Sequence, residues 1–137
     1  MRAVVAGLVM MALGTGVALR AAEPAPDSLV TNMKALNAAL TGVRTAVTGG
    51  DFAGAEKQSV AIEALLKTNT AFWKGRKAAA PLVHAEAAGK AAGELTVAAK
   101  AKNEAGVAAA QKALSSSCGA CHTAHRERTP DGKYAIK

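Results

Sequence analysis

Apolar residues recur along this chain at alternating steps of four and three, the spacing of one face of an α-helix. Leu29, Met33, Leu36, Leu40, Val43 and Val47 form the first such seam. Asp27 or Ser28 can cap its start and Thr48-Gly49-Gly50 ends it, which predicts a helix from about Ser28 to Val47. A second helix follows Asp51, a candidate N-cap, and carries Ala55, Ser59, Ile62, Leu66, Asn69 and Trp73 at the same spacing. Phe52, Leu65 and Phe72 widen its face, and it ends between residues 75 and 77. The third starts around Pro81, a residue suited to a first helical turn, and its seam of Leu82, Ala85, Gly89, Ala92, Thr96 and Ala99 is mostly small. The fourth starts near Asn103 and places Val107, Ala110, Leu114, Cys118, Cys121 and His125 on one side. Thr129-Pro130-Asp131-Gly132 stops it before a short tail, and no strand-like run interrupts the pattern. Four amphipathic helices with short connections predict an all-α fold, an antiparallel up-down-up-down four-helix bundle.

Residues 1–22 stand outside this pattern. Arg2 supplies a positive start, Ala3 to Leu19 is uncharged and mostly apolar, and Ala21-Ala22 precede Glu23-Pro24-Ala25-Pro26. That is the layout of a cleaved secretory signal peptide, leaving residues 23–137 as one domain. Leu19 and Arg20 stand where small residues are preferred before a cleavage site, so the exact site is open. An uncleaved anchor is the competing reading, but the apolar run is slightly short for the roughly 20 residues of a membrane span. The expected location is therefore the bacterial periplasm, with no stable membrane insertion after cleavage.

The formal charge is +7. Setting Arg2 and Arg20 aside from the 17 basic residues leaves 15 against 10 acidic ones, near +5 for the domain. A positive surface of this size steers docking onto acidic partners. Nucleic acid is disfavoured as a partner: the basic residues are scattered and only four aromatics are available for stacking.

One stretch carries chemistry that can be named. Cys118-Gly119-Ala120-Cys121-His122 is a C-x-x-C-H run, the attachment signal of a c-type haem. Two thiols three positions apart on a helix lie on nearly one face, so both can reach the vinyl groups of a single porphyrin. His122 follows beneath the iron, where an imidazole nitrogen serves as the proximal ligand. Haem is attached to such runs outside the bacterial cytoplasm, so the export signal and the attachment site support each other. A structural disulfide between Cys118 and Cys121 would close a loop of two intervening residues and constrain almost nothing. Thiol–disulfide exchange suits a dithiol at a helix N-terminus in a βαβ setting, and this pair lies deep in a predicted helix. Two cysteines and an adjacent histidine do not easily close a tetrahedral metal site. Large apolar side chains are few over 23–137, so a buried porphyrin would fill a thin core around the third helix and stabilise the fold.

The position of the run, in the last of four helices, resembles the cytochrome c′ family, the class II c-type cytochromes. In that family C-x-x-C-H is followed by two residues, an aromatic and a basic one; this chain reads Thr123-Ala124-His125-Arg126, with His125 in the aromatic place. The architecture of the resemblance covers the whole domain, while only the C-terminal motif is sequence-specific. By the resemblance, Arg126 falls where the family places a basic residue close to the haem, and it could pair with a propionate. His125, three residues past His122 on a neighbouring part of the same face, could line the pocket edge or approach a propionate. Family members divide by the sixth coordination position. Low-spin members fill it with a first-helix methionine; high-spin members leave it open and bind NO or CO. The first helix here offers Met33, the only methionine beyond residue 22, within Asn32-Met33-Lys34-Ala35-Leu36-Asn37. That string is also similar to the start of the bacterial four-helix cytochromes b, whose first-helix methionine ligates haem. The implied site is one covalent haem c held by Cys118 and Cys121, with His122 proximal and Met33 distal. The implied role is single-electron transport between redox partner proteins, with no enzymatic chemistry of its own; pairing into a homodimer occurs in the family. Alternatively, Met33 is a core bystander and the iron is a five-coordinate gas binder. His84 could complete a bis-histidine site only if the third helix turned it toward the iron.

Overall fold

The computed structural model describes residues 22–137, so nearly all of the expected signal peptide lies outside the described residues. Four helices account for most of the chain: α1 (Asp27–Thr48), α2 (Phe52–Gly75), α3 (Ala79–Lys100) and α4 (Glu104–His125). Each packs along its neighbour in sequence, α1 on α2, α2 on α3 and α3 on α4. The α1–α4 side has no comparable backbone packing.

The three helix connections follow one plan. Gly50, Lys77 and Lys102 each adopt left-handed φ, at 73°, 53° and 54°. The next residue's N–H then reaches back across the helix end: Asp51 to Ala46 O at 2.8 Å, Ala78 to Trp73 O at 3.2 Å, Asn103 to Ala98 O at 2.9 Å. This six-residue closure satisfies carbonyls that a helix end otherwise leaves open. Two of the three turns then start the next helix with a side-chain cap. Asp51 accepts from Gly54 N at 2.8 Å and Asn103 from Gly106 N at 3.0 Å. At α1 neither Asp27 nor Ser28 acts as a cap: the helix starts directly after Pro26, with Asp27 already in its first turn.

All six seam positions expected for α2 are buried, from Ala55 to Trp73. Ala55, Ile62 and Leu66 meet Leu36, Ala39 and Val43 of α1, the alanine-rich face of α3, and Val107, Ala110 and Leu114 of α4 in one continuous core, while Trp73 packs with Leu29 and Ala85 in a second, smaller cluster. The α3 face differs from expectation. Its buried residues are Pro81, Ala85, Ala88, Ala91, Ala92, Leu95, Ala98 and Ala99, while Leu82, Gly89 and Thr96 are half-buried. Leu95, fully buried, is the one large side chain at the centre of that face. Thr96 instead donates to Glu63 of α2 at the edge of the contact.

The tail after α4 is not an irregular segment. It folds as a hairpin, β2 (Arg126–Arg128) and β3 (Tyr134–Ile136), and β3 also pairs with β1 (Glu23–Pro24) to give a small antiparallel sheet in the order β1-β3-β2. Thr129 to Lys133 is the hairpin loop: Thr129 N donates to Lys133 O at 3.0 Å, and Gly132 takes φ 79°. Pro24 lies on the two-residue edge strand, where its missing N–H removes no ladder bond that matters. An ion pair between Glu23 and Arg76 ties this sheet to the end of α2. Among the described residues, no helix is long and apolar enough to cross a membrane.

Candidate functional site

Where α1 and α4 fail to close on one another, a cavity of about 510 Å³ opens. Its walls come from both ends of the domain. Leu29, Val30, Met33, Lys34 and Asn37 of α1 face Cys121, His122 and His125 of α4; Trp73 of α2 lies between them, and Ala25, Arg126, Tyr134, Ala135 and Ile136 supply the sheet end. The volume falls within the roughly 300–1,000 Å³ usual for cofactor and ligand pockets. Five of the six residues expected at the site, Met33, Cys121, His122, His125 and Arg126, are brought to this one cavity. Cys118 is not among its walls. It lies one turn earlier on α4, half-buried and packed against the main core.

The α4 seam explains this arrangement. Val107, Ala110 and Leu114 are buried, whereas Cys118 and Cys121, farther along the same face, are only partly covered. The helix thus runs out of packing partners as it reaches the cavity. Both thiols are free. Burial pushes the pKa of Cys118 up, and burial together with Cys118 raises that of Cys121 despite the nearby Arg126. They are neutral thiols near the end of a helix, where the dipole opposes a thiolate. This is the reverse of the setting that activates an exchange dithiol.

His122 is half-buried, and its pKa is held below the usual imidazole value, first by burial and then by the Arg126 charge. A neutral ring with a nitrogen lone pair is the form that ligates a metal. His125 is lowered likewise by burial, by His84 and by Lys137. Its ring centroid lies 5.9 Å from that of His84. His84 itself is half-buried and is not a wall of the cavity.

Met33 is half-buried and touches both core clusters. Its Sδ accepts from Asn69 Nδ2 of α2 at 3.8 Å. Asn69 Oδ1 and the indole Nε1 of Trp73 are buried without a hydrogen-bond partner. The Arg126 and Arg128 guanidinium groups lie over the Tyr134 ring at 5.1 and 4.9 Å, and Arg128 donates to the Tyr134 hydroxyl at 3.1 Å. Lys34 and Arg126 thus place positive charge on the cavity rim.

These residues fit the group that the C-x-x-C-H run implies. The cavity offers a thioether from one end of the domain and an imidazole from the other, with a free thiol beside the imidazole. Trp73, 4 % exposed, brings an apolar ring to the wall, and Arg126 a guanidinium suited to carboxylates. Among the described residues no three His, Cys, Asp or Glu side chains converge as a bare-metal cluster. Tyr134, Ile136 and Lys34 reach the wall without any sequence signal that points to this site, while Trp73 is both an expected buried residue of α2 and a wall residue. Pro130-Asp131-Gly132, a turn signal ahead of the short Tyr134–Ile136 strand, is the one clue to the strand that carries the first two.

No family model, curated protein or solved structure matches this chain.

Proposed function

We propose that this protein is an exported class II c-type cytochrome that carries single electrons. One haem c would be bound through Cys118 and Cys121 in an up-down-up-down bundle, with His122 as proximal and Met33 as distal ligand. The observation that carries the reading is the single cavity lined by Met33 and His122, residues 89 positions apart on the two helices that do not close on each other. When bound, the haem supplies a reversible one-electron couple. The chain supplies the rest. The Met33 thioether, a soft donor, would favour ferrous iron, and the neutral His122 imidazole of α4 would be the second nitrogen or sulfur ligand. Leu29, Val30 and Ile136 give the cavity apolar walls, while the Arg126 guanidinium is a donor for propionate carboxylates. Lys34, Arg126 and the net positive charge favour docking of acidic redox partners at the rim. No substrate chemistry is assigned to the protein, and export places it in the periplasm.

The alternative is a five-coordinate protein that binds or sequesters NO or CO. One observation favours it: Met33 already packs on the core and accepts from Asn69, as a bystander methionine would. Full-length protein exported by a host with haem-attachment machinery decides between them. One pyridine haemochrome per chain, a weak ferric band at the red end of the visible and no CO binding to the ferrous form are expected. Protein without covalent haem overturns the cytochrome reading, and a high-spin spectrum with ready CO binding replaces the carrier with the gas binder.

A further inference from the structure

Asn69 is an anomaly in the α2 seam. Its neighbours on that face, Ile62, Leu66 and Trp73, are apolar and buried, and Asn69 itself is 5 % exposed. A buried amide costs free energy unless it is hydrogen-bonded, and this one is poorly served. Its Oδ1 has no partner, and its Nδ2 has one side-chain acceptor, the Met33 Sδ at 3.8 Å. Leucine at this position would continue the seam at no such cost. Among the described residues, the one hydrogen bond its side chain makes is to the residue assigned to the distal position. A second amide stabilises the same level of the α1–α2 contact, since Asn32 Nδ2, next in sequence to Met33, donates to Leu65 O at 3.1 Å.

We infer that Asn69 is a positioning residue acting through Met33, its amide N–H holding the thioether at the cavity wall and raising the reduction potential of a haem ligated there. The inference rests on the Met33 ligation proposed above. A thioether sulfur has two lone pairs and is a weak acceptor, so accepting from Asn69 leaves one pair for a metal. Donation into the sulfur withdraws electron density from it. That weakens its support of ferric iron relative to ferrous and shifts the couple upward. Hydrogen bonds to ligands tune metal sites in this way, alongside the ligands themselves.

The test uses the haem-loaded full chain and reads the midpoint potential, the ferric red band and CO binding. Asn69→Leu is expected to lower the midpoint, by about one tenfold change in the reduced-to-oxidised ratio (~59 mV for one electron), and to shift or weaken the red band. Asn69→Gln, which keeps an amide N–H on a longer arm, is expected to recover part of the shift. Asn69→Ala deletes the amide without adding volume and is expected to behave as Asn69→Leu does, so a folding defect in one variant does not leave the question open. A Met-ligated wild type whose potential and red band are unchanged in Asn69→Leu and Asn69→Ala overturns the role of Asn69 and leaves the ligand assignment standing. A wild type that lacks Met–iron ligation overturns both, and that outcome is visible before any Asn69 variant is made.

Discussion

Replacing Met33 by alanine and, separately, by leucine divides packing from ligation, because the two roles of this side chain respond to different changes. Met33 is half-buried and packs on both core clusters. A fully buried Met→Ala costs about 2–5 kcal/mol, so half-burial brings the packing loss to about 1–2 kcal/mol. The substitution also leaves Asn69 Nδ2 without its acceptor, in a side chain whose Oδ1 is already unpartnered. An orphaned buried donor costs about 1–3 kcal/mol, and a thioether is a weak acceptor, so the lower end applies. Met33→Ala should therefore destabilise the fold by about 2–3 kcal/mol. At about 3–6 °C per kcal/mol for a domain of this size, Tm falls by about 6–18 °C. Met33→Leu retains the volume and should lose less than about 1.5 kcal/mol in packing, with about 1 kcal/mol more for the same orphaned Asn69 donor, and it too removes the sulfur entirely. Thermal unfolding followed by circular dichroism gives the first quantity and visible spectra of the haem-loaded protein the second. Both variants should lose the red ferric band and gain CO binding, although Met33→Ala should be the less stable of the two. A Met33→Leu protein with the wild-type spectrum would refute the ligand assignment, however large the stability loss in Met33→Ala.

Three further outcomes follow from the rest of the fold. Lys102→Gly relieves a left-handed φ of 54° in a non-glycine residue; the strain removed, less the added freedom of the unfolded chain, should give a net gain of about 0.5–1 kcal/mol in urea unfolding. The same change at an ordinary helical position, such as Lys112, should destabilise. Asp51→Ala removes the acceptor of the Gly54 N–H and should cost about 1 kcal/mol with the urea slope unchanged; no loss would mean that the α2 turn closes without its cap. In the haem-free chain, His122 and His125 both titrate below the unfolded value near 6.5. The unfolded state therefore binds protons first as pH falls, so stability is full above about pH 6.5 and declines through that value toward the folded pKa. His122→Gln should flatten part of this slope between pH 7 and 5, leaving the His125 share; an unaltered slope would show that His122 is not the group responsible.

Helix α2 was legible because the large apolar residues of its seam permit one phase only. Ile62, Leu66 and Trp73 cannot be turned outward without exposing large apolar area, and all are buried. In α3 the phase was misread by part of a turn, since alanine and glycine occupy several faces at once. A helix that presents small residues on every side has no unique apolar stripe, and Leu95, the one large buried residue, was outside the expected seam. The terminal sheet was missed for a different reason. Its strands have two or three residues, too few to display alternation, and β1 and β3 pair across almost the full length of the domain. Only Pro130-Asp131-Gly132 marked a hairpin.

The candidate site divides along the same line. Residues whose roles depend on chemical type and local spacing, such as Cys118, Cys121 and His122, can be read from five consecutive letters. The companions that make those letters into a site depend on which helices remain apart. Met33 was legible as a candidate because a thioether on the first seam has a nameable use. Asn69 was legible only as one more seam position, since its amide acquires a purpose when α2 brings it 3.8 Å from the Met33 sulfur. Tyr134 and Ile136 join the cavity only after the hairpin folds back on Glu23–Pro24. The cavity thus depends on closing the two ends of the domain against each other while α1 and α4 stay apart. A change that unpairs β1 from β3, such as replacing Ala135, 2 % exposed, with a charged residue, should open the cavity wall without touching either axial candidate. Such a variant should keep Met33, His122 and both thiols in place yet admit water beside them.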